Sequence, residues 1–178
     1  MFISMTKFLF ALWLTILGAS VSLAAALPRD LAGVDGLRQP SETLYTAGQP
    51  QPEAFAALAK VGVRHVINLR PPSETPELNE AAVVTQSTMA YYNIPISGPV
   101  DLTRENVESL DKLLKRFGDD KVLLHCSSSN RVGALMALRA AWLDGVSAEK
   151  AIEEGQRHGL TKLQPAVERL LEEGQGGR

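Results

Sequence analysis

Short apolar runs alternate with segments whose apolar residues recur every three or four positions. The apolar, β-branched runs predict strands at residues 44–46, 63–69, 91–96 and 122–125. The intervening periodicity predicts helices at residues 52–61, 77–86, 103–114, 132–143, 147–158 and 164–173. Because strands and helices alternate, we expect a single α/β domain with a mainly parallel central sheet flanked by helices on both faces.

The two ends of the chain differ from this pattern. Residues 1–26 carry one charge, Lys7, then an apolar core and three alanines, which predicts a cleaved signal peptide and a periplasmic or secreted protein. The alternative is an uncleaved membrane anchor, because residues 8–26 are close to the length of a spanning helix. Residues 27–173 then form the domain, free of the membrane after cleavage, and the glycine-rich residues 174–178 form a flexible tail.

Composition narrows the functional classes. The net charge is −2, and no basic stripe follows any predicted helix, so nucleic acid is not an expected partner. His65 and His158 lack the spacing of metal ligands, and we expect neither a metal nor a cofactor. The chain has one cysteine, Cys126, so an internal disulfide is excluded. Taken alone, this thiol is as well explained by burial in the core. Oligomeric state is not indicated.

The residues after Cys126 favour chemistry over simple burial. A predicted strand ends at this thiol, four small polar residues follow, and Arg131 stands at the start of a predicted helix. Backbone N–H groups at a helix N-terminus bind anions, so the segment predicts an anion-binding loop that contains a nucleophile. The helix dipole lowers a thiol pKa by only about one unit, and the loop N–H groups and Arg131 must supply the rest of its ionisation. Arginine usually favours the other end of a helix, and a bound anion would explain its position.

Residues 122–133 resemble the phosphate loop of cysteine-dependent tyrosine and dual-specificity phosphatases. The chain is most similar to a bacterial phosphatase-like family called beta-lactamase-hydrolase-like. The similarity extends over about residues 40–160, and its motifs are YTAGQP at 45–50, VINLR at 66–70, YNIPI at 92–96 and HC at 125–126.

This resemblance implies roles for individual residues. Cys126 would attack phosphorus, Arg131 would bind the phosphoryl oxygens, and Asp101 would protonate the leaving group. The loop residues Ser127, Ser128, Ser129 and Asn130 would bind phosphate together with Arg131, and His125 would support the loop. Asp101 is equally well explained as a turn residue at a helix entry. Glu74 and Glu77 are the reserve candidates for the acid. The implied substrate is a phosphorylated protein or a small phosphoester.

Two departures from the phosphatase pattern leave alternatives open. Four residues separate Cys126 from Arg131, where the phosphatases have five, and Val132 replaces a residue that usually carries a hydroxyl group. Four residues is the spacing of rhodanese-like sulfurtransferases, which carry a persulfide on the cysteine. The alternatives are therefore a sulfurtransferase and a phosphate-binding module without catalytic activity.

Overall fold

The structure, a computed structural model, describes residue 31 and residues 33–175. In this part of the chain the strands are Leu44–Ala47 (β1), Val63–Asn68 (β2), Ala90–Asn93 (β3) and Lys121–His125 (β4). The α-helices there are Pro52–Lys60 (α1), Glu80–Gln86 (α2), Arg104–Phe117 (α3), Asn130–Trp142 (α4), Ala148–Arg157 (α5) and Gln164–Gln175 (α6). Short 3-10 turns at Pro72–Glu74 and Pro99–Asp101 follow β2 and β3. The predicted signal peptide lies outside the described residues.

The four strands form one parallel sheet in the order β1-β4-β2-β3. The strand β4 is internal, with Leu123 opposite Tyr45 of β1 on one side and Val66 of β2 on the other. All four strands run in the same direction, so their carboxyl ends share one edge, where ligands bind in sheets of this kind. The predicted α/β fold is confirmed.

Both faces of the sheet are covered by helices. Val122 and Leu124 of β4 belong to a core that includes residues of α3, α4, α5 and α6. Leu123 points to the opposite face and belongs to a second core, with Phe55 and Leu58 of α1. This alternation follows from the period of two in a strand, and it places β4 between two apolar layers.

The helix α4 is buried almost all round and contacts α5 at two glycines. A Cβ atom on Gly133 would lie 2.1 Å from the backbone nitrogen of Leu160 and 2.6 Å from the carbonyl oxygen of Gly155. A Cβ atom on Gly155 would lie 2.7 Å from the carbonyl oxygen of Gly133. The N-terminus of α4 follows the loop after Cys126. The close contact between the two glycines therefore fixes the position of α4 relative to that loop.

Some element boundaries differ from the predicted ones. The helix α2 begins at Glu80 rather than at 77, because the side chain of Asn79 accepts a hydrogen bond from the Ala82 N–H and caps it there. The strand β3 ends at Asn93, although Ile96 N–H still bonds to the Leu69 carbonyl. The helix α4 begins at residue 130, and α6 continues to residue 175, so the first two residues of the predicted tail are helical. Among the described helices, none has the length and apolarity needed to cross a membrane.

Candidate active site

Cys126 lies directly after β4, at the carboxyl edge of the sheet. The preceding residues of β4 are buried and fix the path of the chain up to this point. The Cys126 N–H donates to the carbonyl oxygen of Ala47 at the end of β1, 3.3 Å away. The side chain is 1% exposed and is the free thiol that the sequence predicts. The thiol is therefore held on two sides by the internal strand and its neighbour.

The residues after Cys126 form a tight loop that leads directly into α4. Ser129 has a left-handed backbone, with φ of 64°, and its side chain makes no capping hydrogen bond. Within the described part of the chain, the backbone N–H groups of Ser127, Ser128, Asn130, Arg131 and Val132 have no protein acceptor. Unpaired N–H groups at a loop and a helix N-terminus form an anion-binding site. The loop backbone therefore offers free N–H donors, and its binding of an anion stays a prediction.

Gly48 and Gln49, directly after β1, support the loop from outside. The Gln49 N–H donates to the carbonyl oxygen of Ser127, 3.3 Å away. A Cβ atom on Gly48 would lie only 2.9 Å from that same oxygen and 3.1 Å from the carbonyl oxygen of Asp35. A larger residue at position 48 would clash with the loop backbone, which explains why the YTAGQP motif has a glycine there.

Asn130 anchors the loop from its other side. Its Oδ1 atom accepts hydrogen bonds from the Thr161 N–H and hydroxyl and from the Leu163 N–H, at 2.9, 3.1 and 3.2 Å. Its side-chain oxygen thus binds the segment between α5 and α6, and the predicted contribution of Asn130 to phosphate binding would come from its backbone N–H.

The guanidinium group of Arg131 is held by acceptors on all four terminal N–H bonds. Nη1 donates to Glu74 Oε1 at 2.6 Å and to the Ile96 carbonyl at 2.7 Å. Nη2 donates to Glu74 Oε2 and to Ser127 Oγ, both at 2.9 Å. The hydrogen bonds that Arg131 donates to Glu74 raise the pKa of Arg131 against the opposing effect of burial, and the charge of an ionised Cys126 raises it further.

Glu74 is shared between two arginines. Arg70 Nε donates to Glu74 Oε2 at 3.0 Å, and Arg70 Nη2 donates to the Glu74 carbonyl oxygen. The pKa of Glu74 falls to about 2, chiefly because Arg131 donates hydrogen bonds to it. Burial acts in the opposite direction, and Arg70 lowers the pKa further. A carboxyl group with so low a pKa is a poor proton donor near neutral pH, which disfavours Glu74 as the acid.

A buried carboxylate holds the histidine next to Cys126. His125 Nε2 lies 2.8 Å from Glu80 Oε1, and both side chains are almost fully buried. Gln49 Nε2 donates to Glu80 Oε2 at 2.6 Å, and Gln49 Oε1 accepts from Arg70 Nη1 at 2.5 Å. Burial raises the pKa of Glu80, but the hydrogen bonds from His125 and Gln49 and the charges of His125 and Arg70 together outweigh it, and the net shift is downward.

Asp101 lies one peptide group away from Arg131. Its Oδ2 atom accepts from the Ser97 N–H at 2.7 Å, while the carbonyl of the same peptide, from Ile96, accepts from Arg131. No hydrogen bond within the described part of the chain joins Asp101 to Cys126 or Arg131. Its role as the acid stays a prediction. Glu77 is exposed and makes no hydrogen bond or ion pair with the other described residues.

The structure therefore brings together His125, Cys126, the three serines at residues 127–129 and Arg131. Sequence analysis missed Glu80 and Gln49 as partners of this group. Gln49 lies inside the YTAGQP motif, and this motif is the sequence signal that could have identified it. Glu80 resembles any acidic residue in the first turn of a helix, so its side-chain partners could not be identified from the sequence.

Known proteins resemble this chain in sequence and in fold. No family model matches the chain. The beta-lactamase hydrolase-like protein of Xylella fastidiosa (strain Temecula1) is 31% identical over 125 residues, which cover 67% of this chain and 28% of that protein. The chain thus spans well under a third of the length of this relative.

Solved structures extend the similarity to most of the domain. A candidate phosphatase (DUF442) from Shewanella putrefaciens CN-32 has a TM-score of 0.63 in each of two crystal structures, with identities of 24% and 26%. The matches cover 82% and 81% of this chain, and 96% and 91% of the other. The resemblance to the cysteine-dependent phosphatase superfamily is confirmed.

One further phosphatase neighbour was crystallised with a ligand. A cysteine-to-serine variant of Pseudomonas aeruginosa TpbA, in complex with phosphotyrosine, has a TM-score of 0.55 and an identity of 18%. The match covers 80% of this chain and 91% of that one. At this identity the likeness shows that the two proteins share the phosphatase fold.

Proposed function

We propose that this protein is a cysteine-dependent phosphatase that hydrolyses phosphomonoesters through a phosphocysteine intermediate. One observation carries the proposal. Among the described residues, five backbone N–H groups between Ser127 and Val132 have no protein acceptor, and Arg131 lies in the same segment, in the first turn of α4. Donors of this kind bind the oxygens of a phosphoryl group and stabilise their charge in the transition state.

The reaction would proceed in two balanced steps. The Cys126 thiolate attacks phosphorus, and the bond between phosphorus and the ester oxygen breaks as that oxygen takes a proton from Asp101. Water then attacks the phosphocysteine and gives one proton to Asp101. The phosphorus–sulfur bond breaks, which releases phosphate and restores the thiolate. His125, held by Glu80, would fix the start of the loop throughout.

The proposed substrate is a phosphorylated protein or a small phosphoester. The phosphotyrosine complex of the TpbA variant supports a phosphorylated side chain as one such ligand. We place this reaction in the periplasm or outside the cell, on the basis of the signal sequence predicted for residues 1–26.

The first test is the hydrolysis of p-nitrophenyl phosphate. We expect turnover by the wild-type protein and none by Cys126→Ser. Arg131→Lys should lose most of the activity, because an ammonium group lacks the planar fork of a guanidinium. Arg139→Lys is the matched control, since Arg139 lies on the same helix and is likewise paired with carboxylates, Asp111 and Asp144. Activity that survives Cys126→Ser would refute the proposal.

Sulfur transfer is the second candidate, and the loop favours it in one respect. Only Ser127–Asn130 separates the cysteine from the arginine, and Val132 provides no hydroxyl group to assist release of the thiolate. In that reaction the thiolate would attack the outer sulfur of thiosulfate, and sulfite would leave as the sulfur–sulfur bond breaks. Cyanide would then remove the outer sulfur as thiocyanate.

The two candidates give different covalent products. A sulfurtransferase would form thiocyanate from thiosulfate and cyanide, and mass spectrometry would show Cys126 with one added sulfur atom. A phosphatase would release phosphate and form no persulfide. Binding of phosphate without either product would indicate a module without catalytic activity.

A further inference from the structure

Glu74 occupies the position on Arg131 where a substrate oxyanion would be expected to bind. Resting on the proposed function, we propose that Glu74 determines specificity by restricting the site to singly charged oxyanions, such as the monoanion of a phosphate ester. Doubly charged oxyanions would bind weakly while this carboxylate is present.

The first argument is the saturation of Arg131. A guanidinium group has five N–H bonds, four of them on the terminal nitrogens. Glu74 takes one bond from each terminal nitrogen, and Ile96 and Ser127 take the other two. Of the five N–H bonds of Arg131, only Nε–H is not donated to one of these acceptors, so a ligand can bind to this one without displacing them. The fork that matches a dianion with two N–H bonds is already filled.

The second argument is the sum of charges around the loop. Arg70 and Arg131 contribute two positive charges, and Glu74 and Glu80 contribute two negative ones. Leaving aside His125, the partner of Glu80, these four charges cancel, and an ionised Cys126 makes the total negative. A second charge on the ligand thus gains no net attraction here, while the cost of removing it from water rises steeply.

Other charged groups near the loop do not reverse this balance. Asp101 adds a further negative charge beside the Ile96–Ser97 peptide. Arg38 directs Nη1 to the Gly36 carbonyl at 2.7 Å, on the side of the buried Ser129 side chain. The N–H groups of the loop remain the main donors for the ligand, and neutral donors suit one charge better than two.

Glu74 keeps its charge over the range in which phosphate changes its own. Its pKa of about 2 means that the carboxylate stays ionised in any assay near neutral pH. Its side chain is 31% exposed, so the residue can be replaced without opening a cavity in either core. The effect of its charge on ligand binding is therefore accessible to substitution.

The experiment measures anion binding to the full chain carrying Cys126→Ser, which removes titration of the thiol. Isothermal titration calorimetry gives the affinity for orthophosphate between about pH 5.5 and about pH 8.5, where phosphate passes from mostly singly to mostly doubly charged. Sulfate is the reference, because it stays doubly charged over the whole range. We expect orthophosphate to bind more tightly at low pH, and sulfate to bind weakly throughout.

The Glu74→Gln substitution, added to this variant, should change that preference. We expect sulfate and the phosphate dianion to bind at least about tenfold more tightly relative to the monoanion, because one nearby negative charge is gone. Glu53→Gln is the control. It removes an exposed carboxylate from the first turn of α1, at the same edge of the sheet, where it contacts neither arginine. Its effect should be less than twofold, as expected for a screened charge.

Two results would overturn the inference while leaving the phosphatase proposal in place. Orthophosphate could bind more tightly as the pH rises, or Glu74→Gln could weaken both anions equally, as expected if Glu74 only positions Arg131. A third result, no binding of either anion to Cys126→Ser at millimolar concentration, would overturn the proposed function and this inference with it.

Discussion

Replacing Glu80 by alanine tests whether the buried pair with His125 holds the cysteine loop together. The substitution leaves His125 Nε2–H and Gln49 Nε2–H without their acceptor, in a region where the Glu80 side chain is only 3% exposed. Each unsatisfied buried group costs about 1–3 kcal/mol. The lost charge at the N-terminus of α2 adds about 0.3–1 kcal/mol. We therefore expect a loss of about 2–7 kcal/mol in the free energy of unfolding.

Urea unfolding measures this loss through a lower midpoint at an unchanged slope. The control is Glu105→Ala, which removes an exposed glutamate from the first turn of α3 and so changes the helix N-terminus alone. It should cost less than about 1 kcal/mol. An equal loss for both variants would refute the importance of the buried pair. Hydrolysis of p-nitrophenyl phosphate should also fall in Glu80→Ala, because His125 immediately precedes the nucleophile.

For the same variant we expect the loss in the free energy of unfolding to depend on pH, in a direction set by the pKa of Glu80. The pKa of Glu80 in the folded protein lies below its ordinary value of 4.5, because hydrogen bonds from His125 and Gln49 and the charges of His125 and Arg70 together outweigh burial. A carboxyl group of this kind stabilises the fold above pH 4.5, and the stabilisation disappears as the pH falls through the folded-state pKa. The difference between wild type and Glu80→Ala should therefore narrow below pH 4.5. A constant difference would contradict this account.

Three further substitutions test the site and its support. Asp101→Asn should lower kcat about 10²–10⁴-fold for an alkyl phosphate. The fall should be much smaller for p-nitrophenyl phosphate, because its leaving group needs no proton. An equal fall for both substrates would show that Asp101 is not the acid. Gly48→Ala should weaken orthophosphate binding to Cys126→Ser, because its Cβ atom would lie 2.9 Å from the Ser127 carbonyl, and unchanged affinity would show that the loop can yield. Gly133→Ala should cost about 3 kcal/mol or more in urea unfolding, because its Cβ atom would lie 2.1 Å from the Leu160 nitrogen, and a near-neutral change would show that α5 can move away.

The fold was predictable because its signals are local. Runs of β-branched residues mark the buried strands, and side-chain caps mark two of the helices. Thr103 Oγ1 accepts from the Asn106 N–H, and Ser147 Oγ accepts from the Lys150 N–H, so these two helices begin within one residue of their predicted starts. The start of α4 was placed two residues late, because Ser129 enters the helix through a left-handed backbone and makes no side-chain cap. Propensity alone does not indicate that kind of helix start.

The side-chain network of the site was not predictable in the same way. Cys126 and Arg131 lie close in sequence, so their proximity follows from a tight loop at the start of a helix. Glu74 ends a 3-10 turn, Glu80 begins α2, and Gln49 lies in the loop after β1. Their partners depend on how α2 and the 3-10 turn pack over the sheet edge. Nothing in the residue types distinguishes these glutamates from exposed ones, so the neutralisation of Arg131 emerged only from the structure.

The position of Asp101 does not weigh against its proposed role as a proton donor. The carbonyl and N–H of one trans peptide point in opposite directions, so the carboxylate bonded to Ser97 lies on the far side of that peptide from Arg131. Giving up this hydrogen bond would cost about 0.5–1.5 kcal/mol. General acid catalysis lowers a barrier by about 3–5 kcal/mol, which exceeds that cost. Loss of the bond to Ser97 would therefore not prevent Asp101 from acting as the acid, whereas the Arg131 fork can be opened only against a charged partner. Of these two features, the position of Asp101 and the pairing of Arg131 with Glu74, the pairing has the larger effect on which substrates bind.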